Sequence, residues 1–322
     1  MKIEKFQELA DQFAKKYVLV IGDLMLDSYM WGKANRISQE APVPVVSIEY
    51  ITHNPGGAAN VAWNLSSLSA KVSMAGVVGE DIQGEQLLNI ISEKGINING
   101  IVKDENRDTT VKTRVIAQGQ QVVRTDMESL ESVSEDSGKS IQNYISSIIS
   151  QVDGIIIADY NKGLLSKDLI QKILSLASNQ NVPVYVDPKM DHFFEYRNIR
   201  LFKPNALEFS KSMVRGVCPK TGEDLRKKLN SDHVLITEGA EGMLLITDEG
   251  DFKIPTQARA VHDVSGAGDT VISVYTLTDL AGATPEESAT IANLAAGRVC
   301  EEVGVVPIKM EMLKEIFNHH HS

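Results

Sequence analysis

The chain has 322 residues, of which 43% are hydrophobic and 23% are charged, and its formal net charge at pH 7 is −11. This length allows a large buried core, and we expect one large α/β domain with a small appendage. The negative charge argues against a broad nucleic-acid-binding surface, because such a surface needs clustered cations. Two cysteines far apart in sequence, Cys218 and Cys300, argue against a disulfide framework and against a cysteine metal cluster.

The hydropathy pattern does not indicate a membrane protein. The residues from Met1 to Phe6 include charged side chains without an apolar signal core, and no run of about 18 apolar residues occurs. We therefore expect a soluble cytoplasmic protein. The histidines at 319–321 are interpreted as a native tail or a tag remnant without a metal role.

The first part of the chain predicts a helix followed by a buried strand. An amphipathic pattern covers about residues 3–15, and the continuous apolar run 17–21 suits a sheet that is covered on both faces. Asp23 and Asp27 follow this strand, and open α/β sheets bind ligands at such strand ends. A carboxylate there can accept hydrogen bonds from sugar hydroxyls. We favour that role over loop capping for Asp27, and less so for Asp23.

Residues 28–54 predict an excursion from the main sheet. A mixed polar stretch is followed by a Pro-containing segment at 41–44 that cannot be helical, and 45–51 alternates as a strand. The short strands within 98–127 have no helix between them, so they are poor candidates for parallel strands of the main sheet. We expect these short strands to pair with the strand 45–51 in a small antiparallel β lid built from about 28–54 and 97–127. We also expect a homodimer if one face of this lid packs on a second copy.

A glycine pair precedes the next predicted helix, which covers 61–68. Gly56 and Gly57 permit close approach of the backbone to a ligand, and the Asn60 amide can both donate to and accept from a hydroxyl. A Gly-Gly helix start can also serve tight packing alone. We favour ligand contact.

Polar residues recur at the ends of the later strands. These strands are predicted at 72–78, 154–158, 183–186, 201–202 and 234–237. Asp159 and Asp187 each follow one of them, which again points to the carboxyl edge of the sheet. Asn205 and Glu208 lie three residues apart at a helix start, so they share a face and are suited to ordering water around Mg²⁺.

The segment Asp263-Val264-Ser265-Gly266-Ala267-Gly268-Asp269-Thr270 predicts an anion cradle. Its two glycines let successive N–H groups point at one spot, and the apolar helix that follows adds the positive end of its dipole. A bound phosphate would repel a carboxylate at this position, so Asp269 is suited to take a proton from a hydroxyl that attacks the phosphate. The alternative is a loop with an Asp cap.

Several motif classes are absent from the sequence. There is no Gly-x-x-x-x-Gly-Lys-Ser/Thr loop, no Gly-x-Gly-x-x-Gly after the first strand and no Gly-x-Ser-x-Gly elbow. The ordered set that is present, Gly56 to Asn60, Asn205-x-x-Glu208 and Asp263 to Thr270, resembles the ribokinase-like, or PfkB, carbohydrate kinases. The resemblance covers the chain from Gly22 to about Pro307, and it implies a single kinase domain over 1–322 with a mostly parallel sheet flanked by helices.

The resemblance implies roles for the residues of the sugar and phosphate sites. Asp269 would be the general base that deprotonates the sugar hydroxyl. The amides of Gly266, Ala267 and Gly268 would form the anion hole for the γ-phosphoryl group of ATP. The sugar itself would be held by Asp27, Gly56, Gly57, Asn60 and Asp159.

The nucleotide and metal sites follow from the same resemblance. Asn205 and Glu208 would position Mg²⁺ and its waters near the phosphates. Thr237 and Gly239 resemble the nucleotide-side loop of the family, and Asn293 would lie beside the adenine. In addition, Asp263 and Ser265 match positions that bind a monovalent cation, such as K⁺, in some members.

Within the family, the run from Arg36 to Val45 and the Asp187-Pro188-Lys189 triplet resemble the D-glycero-β-D-manno-heptose 7-phosphate kinases, which usually have Pro where this chain has Gln39. These enzymes phosphorylate the C1 hydroxyl in ADP-heptose and lipopolysaccharide core precursor synthesis. The substrate phosphate needs cations, and we expect Lys162, Lys189 and Arg36.

Bifunctional relatives in this family carry a fused nucleotidyltransferase with a His-x-Gly-His motif, which this chain lacks. A separate phosphatase and nucleotidyltransferase are therefore expected in the pathway. Two alternatives stay open. One is a kinase of the family for ribose, fructose or a fructose phosphate, because the fold does not specify the sugar. The other is a non-catalytic sugar or nucleotide sensor.

Overall fold

The chain folds into two sheets, a large one covered by helices and a small one beside it. The computed structural model describes residues 3–214, 221–256, 263–302 and 304–319, so Cys218, His320 and His321 lie outside the described residues. The strands are β1 (Tyr17–Gly22), β2 (Leu24–Ile37), β3 (Pro44–Gly57), β4 (Lys71–Gly79), β5 (Asn97–Asp104), β6 (Thr110–Ala117), β7 (Gln120–Met127), β8 (Gly154–Ala158), β9 (Val184–Asp187), β10 (Leu201–Phe202), β11 (His233–Thr237), β12 (Met243–Ile246) and β13 (Asp251–Ile254).

The helices connect these strands and cover both faces of the main sheet. They are α1 (Ile3–Phe13), α2 (Ala58–Ser67), α3 (Ile82–Glu93), α4 (Glu135–Ile148), α5 (Lys167–Asn179), α6 (Ala206–Val214), α7 (Gly222–Leu229), α8 (Ala267–Leu280), α9 (Pro285–Val299) and α10 (Met310–His319). In the part of the chain that the structure describes, none of the helices combines the length and the apolar character needed to cross a membrane.

The main sheet has nine strands in the order β13-β12-β11-β10-β9-β8-β1-β4-β5. The strands from β11 to β5 pair in parallel, and β12 and β13 extend the sheet as an antiparallel edge. All residues of β1 and β8 are buried, as the continuous apolar runs predict for strands covered on both faces. Parallel strands end at one edge, so the polar residues that follow β1, β8, β9 and β10 are brought together there.

The small sheet forms the lid, and its pairing differs from the expected one. Its order is β3-β2-β6-β7, with antiparallel pairs except for β2 and β6, which are parallel. The hairpin of β6 and β7 therefore pairs with β2 and not with the strand 45–51. The expected lid segment from 97 also begins too early, because β5 pairs with β4 in the main sheet. Helix α3 supplies the crossover that a parallel β4 to β5 connection needs.

Helix α8 passes through the core and carries the anion cradle at its N-terminal end. Nearly all of its side chains are buried, including Thr270, Ser273 and Thr276. Its C-terminal end is held by Asp279, which accepts two hydrogen bonds from Arg200 at 2.9 and 2.8 Å and a third from the Tyr185 hydroxyl at 2.6 Å. This fixes the direction of the helix far from the cradle.

Candidate active site

The cradle places Asp269 in the first turn of α8, where its carboxylate is buried between two donors. The side-chain amide of Asn60 donates to Oδ2 at 2.7 Å, and the Tyr160 hydroxyl donates to Oδ1. Gly266 caps the helix with φ of 82°, a conformation that favours glycine. A Cβ atom at Gly266 would lie 2.8 Å from the Asn60 amide nitrogen, so a side chain there would also displace Asn60.

Burial changes the acidity of Asp269. It raises the pKa of this carboxyl from 3.8 to about 6, although the hydrogen bonds from Tyr160 and Asn60 act in the opposite direction. A carboxyl with a pKa near 6 is ionised at neutral pH and is a stronger base than an ordinary aspartate. Asp269 is thus suited to accept a proton from a bound hydroxyl.

A buried lysine lies against the cradle, and the sequence analysis missed it. The Lys203 ammonium group is 3.5 Å from the position that a Cβ atom would take on Gly268, and it pairs with Asp187 at 3.0 Å. Lys203 is only 3% exposed. The first-turn amides of α8 and this cation together make the cradle positive, which suits an anionic ligand. The signal in the sequence is the position of Lys203 at a strand end, directly before Pro204-Asn205.

Asn205 and Glu208 form a reciprocal cap at the start of α6. The Asn205 amide donates to Glu208 Oε2 at 2.9 Å, and the Glu208 amide donates to Asn205 Oδ1 at 2.8 Å. Glu208 also contacts the Lys189 ammonium group through Oε1. Burial lowers the pKa of Lys189, but Asp187 and Glu208 outweigh it, and the net pKa is raised.

The described residues contain no group of three His, Cys, Asp or Glu side chains that could hold a metal ion by themselves. Both oxygens of Glu208 are already engaged, by the Asn205 amide and by Lys189. A Mg²⁺ ion at this place would therefore take its ligands largely from phosphates and water, as Mg²⁺ commonly does.

Asp27, the carboxylate expected to hold the sugar, lies on β2 and is 5% exposed. Its Oδ1 is paired with the guanidinium of Arg114 on β6, and this guanidinium lies 5.3 Å from the centre of the Tyr29 ring. A Cβ atom at Gly56 would be 2.4 Å from Asp27 Oδ2, and Gly57 has φ of 58°, so both positions require glycine. Arg114 is a second site residue that the sequence analysis missed.

Two of the expected sugar or phosphate ligands are engaged by other groups of the protein, and a third is exposed. Asp159 is 1% exposed, and its oxygens accept from the Tyr196 hydroxyl at 2.7 Å and the Asn161 amide at 2.9 Å. The Lys162 ammonium group is paired with Glu128 at 2.7 Å. Arg36 is exposed near the outer end of β2.

Asp23 is also occupied by the protein. Its Oδ2 accepts from the amides of Tyr160 and Lys162 at 2.8 and 3.2 Å. Burial raises the pKa of Asp23 to about 6, and these two amide hydrogen bonds oppose the rise. The loop after β8 is therefore held in place by the carboxylate at the end of β1.

Of the expected nucleotide-side residues, Thr237 ends β11, Gly239 follows shortly after it and Asn293 lies in the middle of α9. Thr237 ends β11 and donates its amide to Pro204 O at 3.0 Å, next to Asn205. Gly239 has φ of 59° and open space where a Cβ atom would be. The Asn293 side chain donates to Pro255 O at 2.8 Å.

The two residues expected at a monovalent cation site precede the cradle. Asp263 Oδ1 accepts from the Ser265 amide at 2.8 Å, and both residues are partly buried. This hydrogen bond orients the Asp263 carboxylate within the turn that leads into α8.

Comparisons with known proteins agree with this architecture. The family profile described as pfkB family carbohydrate kinase matches residues 15–311. The Bifunctional protein HldE of Helicobacter pylori (strain J99 / ATCC 700824) is 38% identical over 311 residues, which are 95% of this chain and 67% of that protein. The protein of the same name from Sulfurimonas denitrificans is 41% identical over 304 residues, 92% of this chain and 63% of that protein. This chain thus spans about two thirds of the length of these relatives.

Solved structures show the same fold at low sequence identity. A putative ribokinase from Agrobacterium tumefaciens superposes with a TM-score of 0.75 at 16% identity. Phosphofructokinase-2 from Escherichia coli in complex with potassium superposes with a TM-score of 0.76 at 20% identity. In each case 95% of this chain and 99% of the other are covered. The expected ribokinase-like α/β fold is confirmed. The chain belongs to the PfkB family of carbohydrate kinases and is an ATP-dependent phosphotransferase that acts on a sugar hydroxyl.

Proposed function

We propose that this kinase transfers the γ-phosphoryl group of ATP to the C1 hydroxyl of D-glycero-β-D-manno-heptose 7-phosphate, in the synthesis of ADP-heptose for lipopolysaccharide. The observation that carries the proposed chemistry is the Asp269 carboxylate, which is held by Asn60 and Tyr160 beside a positive helix start. The choice of sugar is supported by the relatives named Bifunctional protein HldE and by the motif run from Arg36 to Val45.

In this proposal, Asp269 accepts the proton of the C1 hydroxyl. The hydroxyl oxygen forms a bond to the γ-phosphorus while the bond from the γ-phosphorus to the β,γ-bridging oxygen breaks, which releases ADP. The amides of Gly266, Ala267 and Gly268 would donate to the transferring group, with Lys203 nearby. Such transfer depends on alignment and charge stabilisation more than on covalent chemistry of the protein.

Metal ions would supply charge neutralisation on the phosphates. The residues fit this role indirectly, because Asn205 and Glu208 place an amide oxygen and a carboxylate near the cradle while engaged with each other, so they would hold Mg²⁺ through water. The oxygens of Asp263 and Ser265 would hold K⁺ if a monovalent cation is used. On the nucleotide side, Thr237, Gly239 and Asn293 are the proposed contacts.

Recognition of the sugar is assigned to Asp27, Gly56, Gly57 and Asn60. Asp159 would support the neighbouring loop through Tyr196 rather than contact the sugar. The substrate phosphate is assigned to three cations: Lys162, Lys189 and Arg36. A phosphate that binds Lys162 or Lys189 would have to compete with Glu128 or Glu208.

A substrate panel tests the proposed function. ADP release is measured with ATP and Mg²⁺ on D-glycero-D-manno-heptose 7-phosphate, fructose 6-phosphate, fructose 1-phosphate, fructose and ribose. We expect a clear preference for the heptose phosphate, and NMR of the product should show the new phosphate on C1. Preference for another sugar would support a different kinase of the family. The absence of ADP release with every sugar would favour the sensor.

The product chemistry implies pathway partners. Converting a 1,7-bisphosphate into a nucleotide sugar requires removal of one phosphate and transfer of a nucleotidyl group. We therefore propose a phosphatase and a nucleotidyltransferase as the activities that act next.

We also propose a homodimer that forms through the lid. Large apolar side chains are exposed on the lid strands: Ile37, Ile48, Tyr50, Ile51, Val122, Val123 and Met127. Apolar exposure on this scale on one small sheet is typical of an interface. Light scattering at micromolar concentration should give twice the chain mass of 35.3 kDa, and Tyr50→Asp should shift the mass towards the monomer. Ile82→Asp is the control, because Ile82 is 82% exposed at the start of α3. A monomeric wild type would contradict the proposal.

A further inference from the structure

Tyr160 is the residue in contact with the proposed base that no motif indicated. It lies two residues after the end of β8, and its hydroxyl donates to Asp269 Oδ1 across 109 positions of sequence. Asn60 donates to Oδ2 from α2. Each oxygen of the carboxylate thus has one donor from the protein, and each retains lone-pair capacity for a substrate hydroxyl.

Hydrogen bonds to two carboxylates fix the backbone around Tyr160. Asp23 accepts the amides of Tyr160 and Lys162, and the Asn161 amide donates to Asp159. Asn161 has φ of 54°, in the left-handed region that Asn tolerates. The loop is therefore held at both neighbouring strand ends, by the carboxylate after β1 and by the one after β8.

The same loop is also held to the two ends of the β6–β7 hairpin. Arg107, before β6, donates to Lys162 O at 2.6 Å, and Glu128, after β7, pairs with the Lys162 ammonium group at 2.7 Å. Farther along, Val133 donates its amide to Gly163 O at 3.0 Å. Movement of the Tyr160 backbone away from Asp269 would have to break several of these contacts.

We propose that Tyr160 is a positioning residue for phosphoryl transfer, which together with Asn60 holds the Asp269 carboxylate in the orientation that accepts the sugar proton. The inference rests on the proposed role of Asp269 as the base. A hydroxyl donor stabilises the ionised carboxylate, which is the form that acts as a base. The Tyr160 hydroxyl remains protonated, because burial and the neighbouring Asp269 raise its pKa well above the ordinary value.

Other charged groups lie close to Tyr160 and Asp269 and contribute to the pKa values of both side chains. Asp187 and Lys203 act on Asp269 with opposite signs. Asp187 and Asp27 act on Tyr160, and the Lys189 ammonium group lies 5.7 Å from the centre of the Tyr160 ring. Tyr160→Phe leaves all of these groups in place, so its effect isolates the hydroxyl.

The test is the pH dependence of kcat/KM for Tyr160→Phe. In the wild type, kcat/KM should fall below pH of about 6, where Asp269 becomes protonated. Loss of a donor to the ionised form raises the pKa of the base, so in the variant this fall should begin about one pH unit higher, with about tenfold lower kcat/KM on the acidic side. Tyr17→Phe is the matched control, since it removes a buried hydroxyl that lies 2.6 Å from Ser73 Oγ, near the start of β1 and thus at the opposite edge of the sheet.

A second measurement, the NMR titration of Asp269, does not depend on enzyme activity. The carboxyl resonance of Asp269 is identified in ¹³C-labelled aspartate spectra by its loss in Asp269→Asn, and it is titrated in the wild type, Tyr160→Phe and Tyr17→Phe. An upward shift in Tyr160→Phe alone supports the inference whichever sugar is the substrate, so a failure of the sugar assignment can be told apart from a failure of the inference. An unshifted titration, or a uniform loss of kcat/KM at every pH, would overturn it.

Discussion

Asp269→Asn is expected to lower kcat by at least about 10²-fold while the fold and the affinity for ATP are retained. The amide has nearly the shape of the carboxylate, but it cannot take a proton from the sugar hydroxyl. Its oxygen can accept from Asn60, and the Tyr160 hydroxyl can rotate to accept from the new amide nitrogen, so the contacts around the side chain persist.

The stability of Asp269→Asn is a second test, because it should not fall along with the activity. The pKa of Asp269 is raised to about 6, so the native state favours the protonated form. The contribution of Asp269 to wild-type stability should therefore decrease as the pH rises from about 4 to about 6, by on the order of 3 kcal/mol. Asparagine removes this cost of a buried charge, and the variant should melt no lower than the wild type at pH 7.

The measurements are steady-state kinetics, thermal unfolding and titration with a non-hydrolysable ATP analogue. Asp153→Asn is the control, because Asp153 accepts the Tyr17 amide at 2.7 Å, near the start of β1 and thus at the opposite edge of the sheet. It should leave kcat unchanged. Near-normal turnover of Asp269→Asn would remove Asp269 from the role of base.

Lys203→Met is expected to have the second largest effect, a decrease of about 10²- to 10³-fold in kcat. The methionine keeps the volume of the side chain but removes the only buried cation against the cradle among the described residues. Asp187 loses its ion pair at 3.0 Å, and burial already raises the pKa of Asp187. We expect Asp187 to become protonated more readily, so stability falls by less than the ~3–5 kcal/mol typical of breaking a buried pair.

Loss of stability alone would not explain the loss of rate, and a matched variant separates the two. Arg200→Met breaks the pair of Arg200 with Asp279, at the other end of α8. It should lower the melting temperature but leave kcat per folded molecule unchanged. If Lys203→Met shows the same pattern, Lys203 has only a structural role.

The arrangement of the main sheet could be predicted because its signals are local. Short continuous apolar runs predicted the parallel strands, and polar residues after them predicted the edge that carries the site. The Gly-rich segment before an apolar run predicted α8, although the helix begins at Ala267, inside that segment. The motif residues Asn60 and Asp269, 209 positions apart, are in direct contact in the structure.

The partners of these residues could not be predicted, because they come from distant parts of the chain. Tyr160 and Arg114 contact Asp269 and Asp27 across 109 and 87 positions, and neither contact leaves a local pattern. The sequence alone does not show that Lys203 is a buried cation, because this depends on its pairing with Asp187 in the folded chain. The predicted strand pairing of the lid was wrong for a related reason. The polar sequence pattern of 24–37 does not indicate that this segment pairs with one strand on each side.

Strand β2 connects the proposed sugar site, at Asp27, to the outer end of the lid. It leaves the core one residue after β1 and runs from Leu24 to Ile37. At about 3.3 Å per residue, Asp27 is roughly 13 Å and Arg36 roughly 43 Å from a pivot at Asp23. A tilt of about ten degrees would therefore move Asp27 by about 2 Å and Arg36 by about 7 Å. A fluorophore on the outer end of β2 would therefore report a small movement at Asp27 as a larger displacement.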